Sequence, residues 1–98
     1  MWFESLRKKI ENRTAKVGVI GLGYVGLLLS ATIAKAGFQV TGIDLSKEKV
    51  NKVNDGISYI SDLSLETLAP LIQRGQIRAT TDYAILNELN IINICVPT

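Results

Sequence analysis

Lys16-Val17-Gly18-Val19-Ile20-Gly21-Leu22-Gly23-Tyr24-Val25-Gly26 is the stretch that decides how this chain folds. Val17 to Ile20 is a short apolar run, and Gly21, Gly23 and Gly26 come after it in G-x-G-x-x-G spacing. Past the glycines, Val25, Leu28, Leu29, Thr32, Ile33 and Ala36 recur at i, i+3, i+4, i+7, i+8 and i+11. That is the apolar stripe of an amphipathic helix, over about Tyr24 to Ala36, and not the alternation of a strand. The glycines therefore sit at a strand-to-helix turn. Such a turn can hold a pyrophosphate, although the same spacing also occurs in turns that hold nothing. Gly21 suits the backbone angles of a tight turn. Gly23 lets the main chain approach a phosphate, and Gly26 lets the helix pack closely on the strand it has left. The helix start offers unpaired N–H groups and the positive end of its dipole.

The segment after the helix strengthens the nucleotide reading. Gly37 is a helix stop signal, and Gln39 to Ile43 reads as a second strand ending on Asp44. Asp44 lies 18 residues beyond Gly26, close to where a dinucleotide site places an acid for a ribose hydroxyl. Taken alone, Asp44 would be a solvated turn residue or the cap of the next helix.

Composition narrows the field. The 98 residues suit one small domain. An apolar share of 47% with 20% charged residues describes a globular chain. A net charge of +2 is too small to point to nucleic acid. With no histidine, the commonest general base and a common zinc ligand are missing. The single cysteine rules out an internal disulfide and fits a reducing, cytoplasmic compartment. Neither a signal peptide nor a membrane span is visible.

Around the central unit the chain alternates. Met1 to Arg13 reads as a helix with Phe3, Leu6 and Ile10 on one stripe and Trp2 beside it, a segment that should pack on the domain or on a neighbouring chain. Ser46 is a good N-cap for a helix from Lys47 to about Asn54, with Val50 and Val53 inward. Tyr59, in the connector after that helix, reads as core filling. A third helix starts near Ser64, with Leu65, Leu68, Leu71 and Ile72 in period and Pro70 either kinking it or beginning a new turn. Gln76 to Ala79 is a third strand, and Thr80 or Thr81 caps a short helix from Asp82 to about Leu89. Ile91 to Val96 is a fourth strand, apolar enough to be buried on both faces. Strand–helix alternation implies an α/β fold: a partial Rossmann-type parallel sheet of about four strands, order 3-2-1-4, with an extra N-terminal helix. Thr98, at the end of strand four, should stand at the mouth of the ligand crevice.

Several stretches together resemble the UDP-glucose/GDP-mannose dehydrogenase family. They are Val17 through Leu27, the Asp44 to Gly56 stretch with Lys49-Val50 and Val53-Asn54-Asp55-Gly56, and Cys95-Val96-Pro97-Thr98. Ser58-Tyr59-Ile60 with Asp62, Ala79-Thr80-Thr81-Asp82 and the leading Lys9-Ile10-Glu11-Asn12 are most similar to its UDP-N-acetylglucosamine 6-dehydrogenase branch. Leu28 departs from the family's usual proline, beyond the phosphate turn.

The resemblance implies NAD as cofactor and a two-step oxidation of a sugar C6 alcohol to a carboxylate. It implies that the turn Gly21-Leu22-Gly23-Tyr24-Val25-Gly26 lies against the pyrophosphate and that Asp44 holds the adenosine ribose. Lys49 would lie near that ribose, and Thr98 would meet the cofactor on the nicotinamide side. It also implies that residues 15–98 are a truncated NAD-binding domain preceded by a helix over 1–14. The nucleotide-sugar substrate and the family's nucleophilic cysteine then belong to missing domains, with a homo-oligomer, a dimer, as the full-length state. Cys95 lacks the Gly-Gly-x-Cys context of that nucleophile and reads as a buried, inert thiol, so no catalytic residue is assigned. A non-catalytic NAD-sensing module is the alternative from another class, UDP-glucose is the alternative substrate, and a hydroxyacid or ketopantoate-type reductase explains the glycines and less of the rest.

Overall fold

The apolar run ahead of the glycines is strand β1 (Lys16–Ile20), an inner member of a four-stranded parallel sheet. The computed structural model describes residues 2–61 and 63–95. Met1, Asp62, Val96, Pro97 and Thr98 lie outside that description, as do the side chains of Trp2, Phe3 and Leu65. The elements run α1 (Trp2–Glu11), β1, α2 (Tyr24–Lys35), β2 (Gln39–Ile43), α3 (Lys47–Asn54), α4 (Leu65–Gln73), β3 (Ile77–Thr80), a 3-10 helix (Tyr83–Glu88) and β4 (Ile91–Ile94). The strands lie in the order β3-β2-β1-β4, as the alternation required.

Register explains the core. Val17 is opposite Val40 and Ile91, and Val40 is opposite Ile77. Side chains alternate along a strand, so Val17, Val19, Val40, Ile77 and Ala79 share one face. They pack there with Leu27, Ala31 and Ala34 of α2, Val50 and Val53 of α3, and Leu68 and Leu71 of α4. Ser46 caps α3 as expected, accepting the Lys49 N–H at 3.3 Å.

Four expectations need correction. The stripe that α2 buries is Gly26, Leu27, Ser30, Ala31 and Ala34, and not the larger apolar residues in period. Val25 is 64% exposed, and Thr32 and Ala36 are exposed too. Helix α2 is apolar on most of its surface, so periodicity could not choose a face. Size chose it, because small residues let the helix axis approach the sheet. The one polar group on that face is satisfied internally: the buried Ser30 hydroxyl donates to the Gly26 carbonyl at 2.7 Å.

The second correction concerns β4. Ile92 and Ile94 are 43% and 69% exposed, so the strand is not buried on both faces. They point away from the face that α2, α3 and α4 cover. Third, the last helix is a 3-10 helix capped by Asp82, whose carboxylate accepts the Ala84 N–H at 2.9 Å; neither Thr80 nor Thr81 is its cap. Finally, Cys95 is only partly buried.

Pro70 does not begin a new helix; it lies inside α4. The backbone bond it cannot make falls on the carbonyl of Glu66, in the solvent-facing first turn, where water can take the donor's place. The N-terminal helix is joined to the domain through Arg13, whose Nε donates to the Ala36 carbonyl at 2.6 Å. Ile10 of α1 is 42% exposed.

Candidate functional site

The three glycines of the turn are glycine for different reasons. Gly21 has φ +97, and a Cβ there would run into the carbonyl oxygen of Cys95 on β4's continuation. A Cβ on Gly26 would collide with the Gly21 carbonyl. Both therefore serve the fold, holding strand, turn and helix in close contact. Gly23 is different. Its φ is −72, which any residue adopts, and a Cβ there would meet nothing within 4 Å. The protein itself makes no demand for glycine at this position, so the space in front of it is a cradle that a side chain would fill.

Donors converge on that space. Gly23 is the N-cap of α2, with no side-chain cap. The N–H groups of Gly23, Tyr24, Val25 and Gly26 have no hydrogen-bond partner among the described residues. Unpaired amides at a helix N-terminus, with the dipole behind them, suit an anion. Tyr24 and Val25, 49% and 64% exposed, form an apolar shoulder beside it.

Asp44 comes directly after β2 and reaches the turn. Its Oδ2 accepts the Leu22 N–H at 2.7 Å, and its Oδ1 accepts the Ser46 N–H at 2.8 Å. The Asp44 N–H in turn donates to the Thr80 carbonyl at 3.2 Å, tying the acid to β3. Each carboxylate oxygen uses one of its two lone-pair sites in this arrangement, leaving acceptor capacity for hydroxyl groups. No cation lies within ion-pair distance of Asp44 among the described residues. Lys49 stands in the first turn of α3, half-buried, its N–H on Ser46. A hollow of about 290 Å³ opens beside the end of β3, lined by Arg78, Ala79, Thr80, Asp82 and Ile85.

The structure thus brings Gly21, Leu22, Gly23, Tyr24, Val25, Gly26 and Asp44 together at the C-terminal ends of β1 and β2, with Lys49 close by on α3. Thr98 lies outside the described residues.

It also adds Tyr59, which sequence reading assigned to the core. The ring does pack against the core cluster, but its hydroxyl donates to the Leu22 carbonyl at 2.5 Å. Burial pushes the phenol up to about 12, and the Asp44 carboxylate facing it adds to the rise. Tyr59 lies in one of the stretches that carry the family resemblance, but no sequence signal pairs it with Leu22, because the contact closes over 37 positions of chain.

A glycine turn with open space at the head of a helix, and an acid at the end of the adjacent parallel strand, defines a dinucleotide-binding α/β domain. The chain belongs to the UDP-glucose/GDP-mannose dehydrogenase family: residues 15–98 match its NAD binding domain. It is 35% identical over 85 residues to GDP-mannose 6-dehydrogenase of Pseudomonas syringae pv. syringae, covering 85% of this chain and 19% of that protein. To UDP-N-acetyl-D-mannosamine dehydrogenase of Pyrococcus horikoshii it is 31% identical, over 85% of this chain and 20% of the relative. Among solved structures, GDP-mannose dehydrogenase of Pseudomonas aeruginosa superposes with a TM-score of 0.78 at 33% identity, over 84% of this chain and 19% of that one. The chain thus spans about a fifth of the length of these relatives. The family's cofactor is NAD, and the open cradle at Gly23 and the unpaired amides around it fit a dinucleotide's diphosphate.

Among the described residues, no helix is long and apolar enough to cross a membrane.

Proposed function

We propose that this chain is the NAD-binding part of a nucleotide-sugar 6-dehydrogenase that oxidises the C6 alcohol of a UDP-sugar, a UDP-N-acetylhexosamine, to the uronic acid in two NAD-dependent steps. NAD, when bound, supplies the hydride acceptor. The chain's own residues bind and orient. In this reading the amides at the head of α2 hold the diphosphate, Val25 lies against it, and Asp44 accepts from the adenosine ribose hydroxyls. Lys49 lies near that ribose, and Thr98 meets the nicotinamide side. The UDP-N-acetylhexosamine preference rests on the Ser58-Tyr59-Ile60 and Ala79-Thr80-Thr81-Asp82 stretches.

The observation that carries the proposal is the unconstrained Gly23, whose N–H and those of Tyr24, Val25 and Gly26 have no partner among the described residues. A position with ordinary φ and empty space has no structural reason to be glycine, whereas a diphosphate pressed against the backbone supplies one. We assign the nucleophile, the sugar site and the dimer contacts to polypeptide beyond these 98 residues, and residues 15–98 to the cofactor domain.

An NADH absorbance assay tests this. The chain alone is expected to turn over none of UDP-N-acetylglucosamine, UDP-glucose or GDP-mannose while still binding NAD. A longer polypeptide carrying the remaining domains is expected to oxidise UDP-N-acetylglucosamine fastest. Turnover by the 98-residue chain would put the chemistry elsewhere, and a GDP-mannose preference would overturn the substrate assignment.

A further inference from the structure

Two successive peptide groups in the glycine turn are held by two different side chains. Asp44 Oδ2 accepts the Leu22 N–H, which belongs to the Gly21–Leu22 peptide. The Tyr59 hydroxyl donates to the Leu22 carbonyl, which belongs to the Leu22–Gly23 peptide. Asp44 therefore does nothing to fix the orientation of the second peptide. Among the described residues, Tyr59 alone anchors it.

That second peptide is the one that matters for an anion. A peptide is planar and, in this chain, trans, so the Leu22 carbonyl and the Gly23 N–H point in opposite directions. Rotating this peptide changes ψ of Leu22 and φ of Gly23, and glycine resists such a rotation least of all residues. The Leu22 side chain, 1% exposed against Gly42, holds the residue but leaves this rotation open. Without an anchor on the carbonyl, the Gly23 N–H can swing away from the cradle. Tyr59 is well mounted to prevent this. Its ring packs against the core, and the Ser58 hydroxyl bridges the carbonyl and N–H of Ile60 at 3.0 and 3.3 Å beside it.

We propose that Tyr59 is a positioning residue for the cofactor's diphosphate: by holding the Leu22 carbonyl, its hydroxyl aims the Gly23 N–H into the cradle. The role rests on reading the glycine turn as the NAD site. Its signature is selective. Losing the hydroxyl should weaken ligands that carry the diphosphate and spare those that do not.

The test is Tyr59→Phe in the 98-residue chain, with NAD, ADP and adenosine each titrated and followed by backbone amide NMR, which reaches millimolar affinities. Phenylalanine keeps the packing. We expect NAD and ADP to bind about three- to ten-fold more weakly, one neutral hydrogen bond's worth, adenosine to stay within about two-fold, and the Gly23 amide resonance to move. Unchanged ADP affinity, or a parallel loss for adenosine, overturns the proposal. Gly23→Val separates the two levels. If Gly23→Val loses ADP while Tyr59→Phe keeps it, only the positioning role fails. If Gly23→Val binds ADP as wild type does, or wild type binds none, the site reading fails and this role with it.

Discussion

Asp44 Oδ2 accepts the Leu22 N–H at 2.7 Å, so the acid that ends β2 is built into the glycine turn at the end of β1. Its other oxygen holds Ser46, the N-cap of α3. One carboxylate thus joins the phosphate turn to the start of the next helix. Asp44→Ala is expected to lower stability by about 1–3 kcal/mol, because a partly buried N–H loses its charged acceptor. It should also weaken NAD binding by about 1.5–3 kcal/mol through the ribose hydroxyls. Wild type should prefer NAD to NADP, since a 2′-phosphate would face the Asp44 carboxylate, which has no ion-pair partner among the described residues. Calorimetric titration with both cofactors and a urea melt check these; equal or tighter NADP binding contradicts the ribose role.

The glycines should separate under mutation. Gly23→Val is expected to melt like wild type and to lose NAD, because its side chain enters space that the protein leaves empty. Gly21→Ala and Gly26→Ala are expected to cost about 2–4 kcal/mol whether or not ligand is present, since each new methyl meets a backbone carbonyl that cannot retreat. Thermal melts with and without NAD distinguish the two classes.

Tyr59 should impose a pH dependence at the alkaline end. Its phenol is raised from 10.0 to about 12, by burial first and by Asp44 second. The folded state therefore favours the protonated phenol more than the unfolded chain does. The resulting stability is fully present below pH 10 and is lost as pH climbs towards 12. With the ring half open to solvent, the effect should be about 1 kcal/mol. Urea melts of wild type and Tyr59→Phe at several pH values from 8 upward check it: the gap between them should shrink above pH 10.

Strand β4 lies at a sheet edge and presents Ile92 and Ile94 outward. Exposed apolar residues on an open edge favour association. The chain is expected to self-associate at millimolar concentration, and Ile94→Lys to shift it towards monomer. Sedimentation equilibrium reads both, and a clean monomer for wild type contradicts the prediction.

Much of this was legible in the linear sequence because it depends on local chemistry. G-x-G-x-x-G between an apolar run and a helical period is a short-range signal. Alternation of strands and helices then leaves one handed way to assemble them, which is why the order 3-2-1-4 and the place of Asp44 can be read from the chain itself. Ser46 announced α3 for the same reason, since a cap acts within one turn.

What only the tertiary structure decided depends on which groups approach from far along the chain. The buried face of α2 was set by how closely Gly26, Ser30, Ala31 and Ala34 let it approach the sheet, a property of two surfaces and not of one helix. Whether β4 is covered is likewise a fact about its neighbours. The glycines look alike in a motif, yet Gly21 and Gly26 are forced by backbone contacts and Gly23 is not, which only the positions of Cys95 and Gly21 reveal. Tyr59 shows the same limit: its hydroxyl has meaning only because folding sets it against the Leu22 carbonyl, 37 residues earlier in the chain.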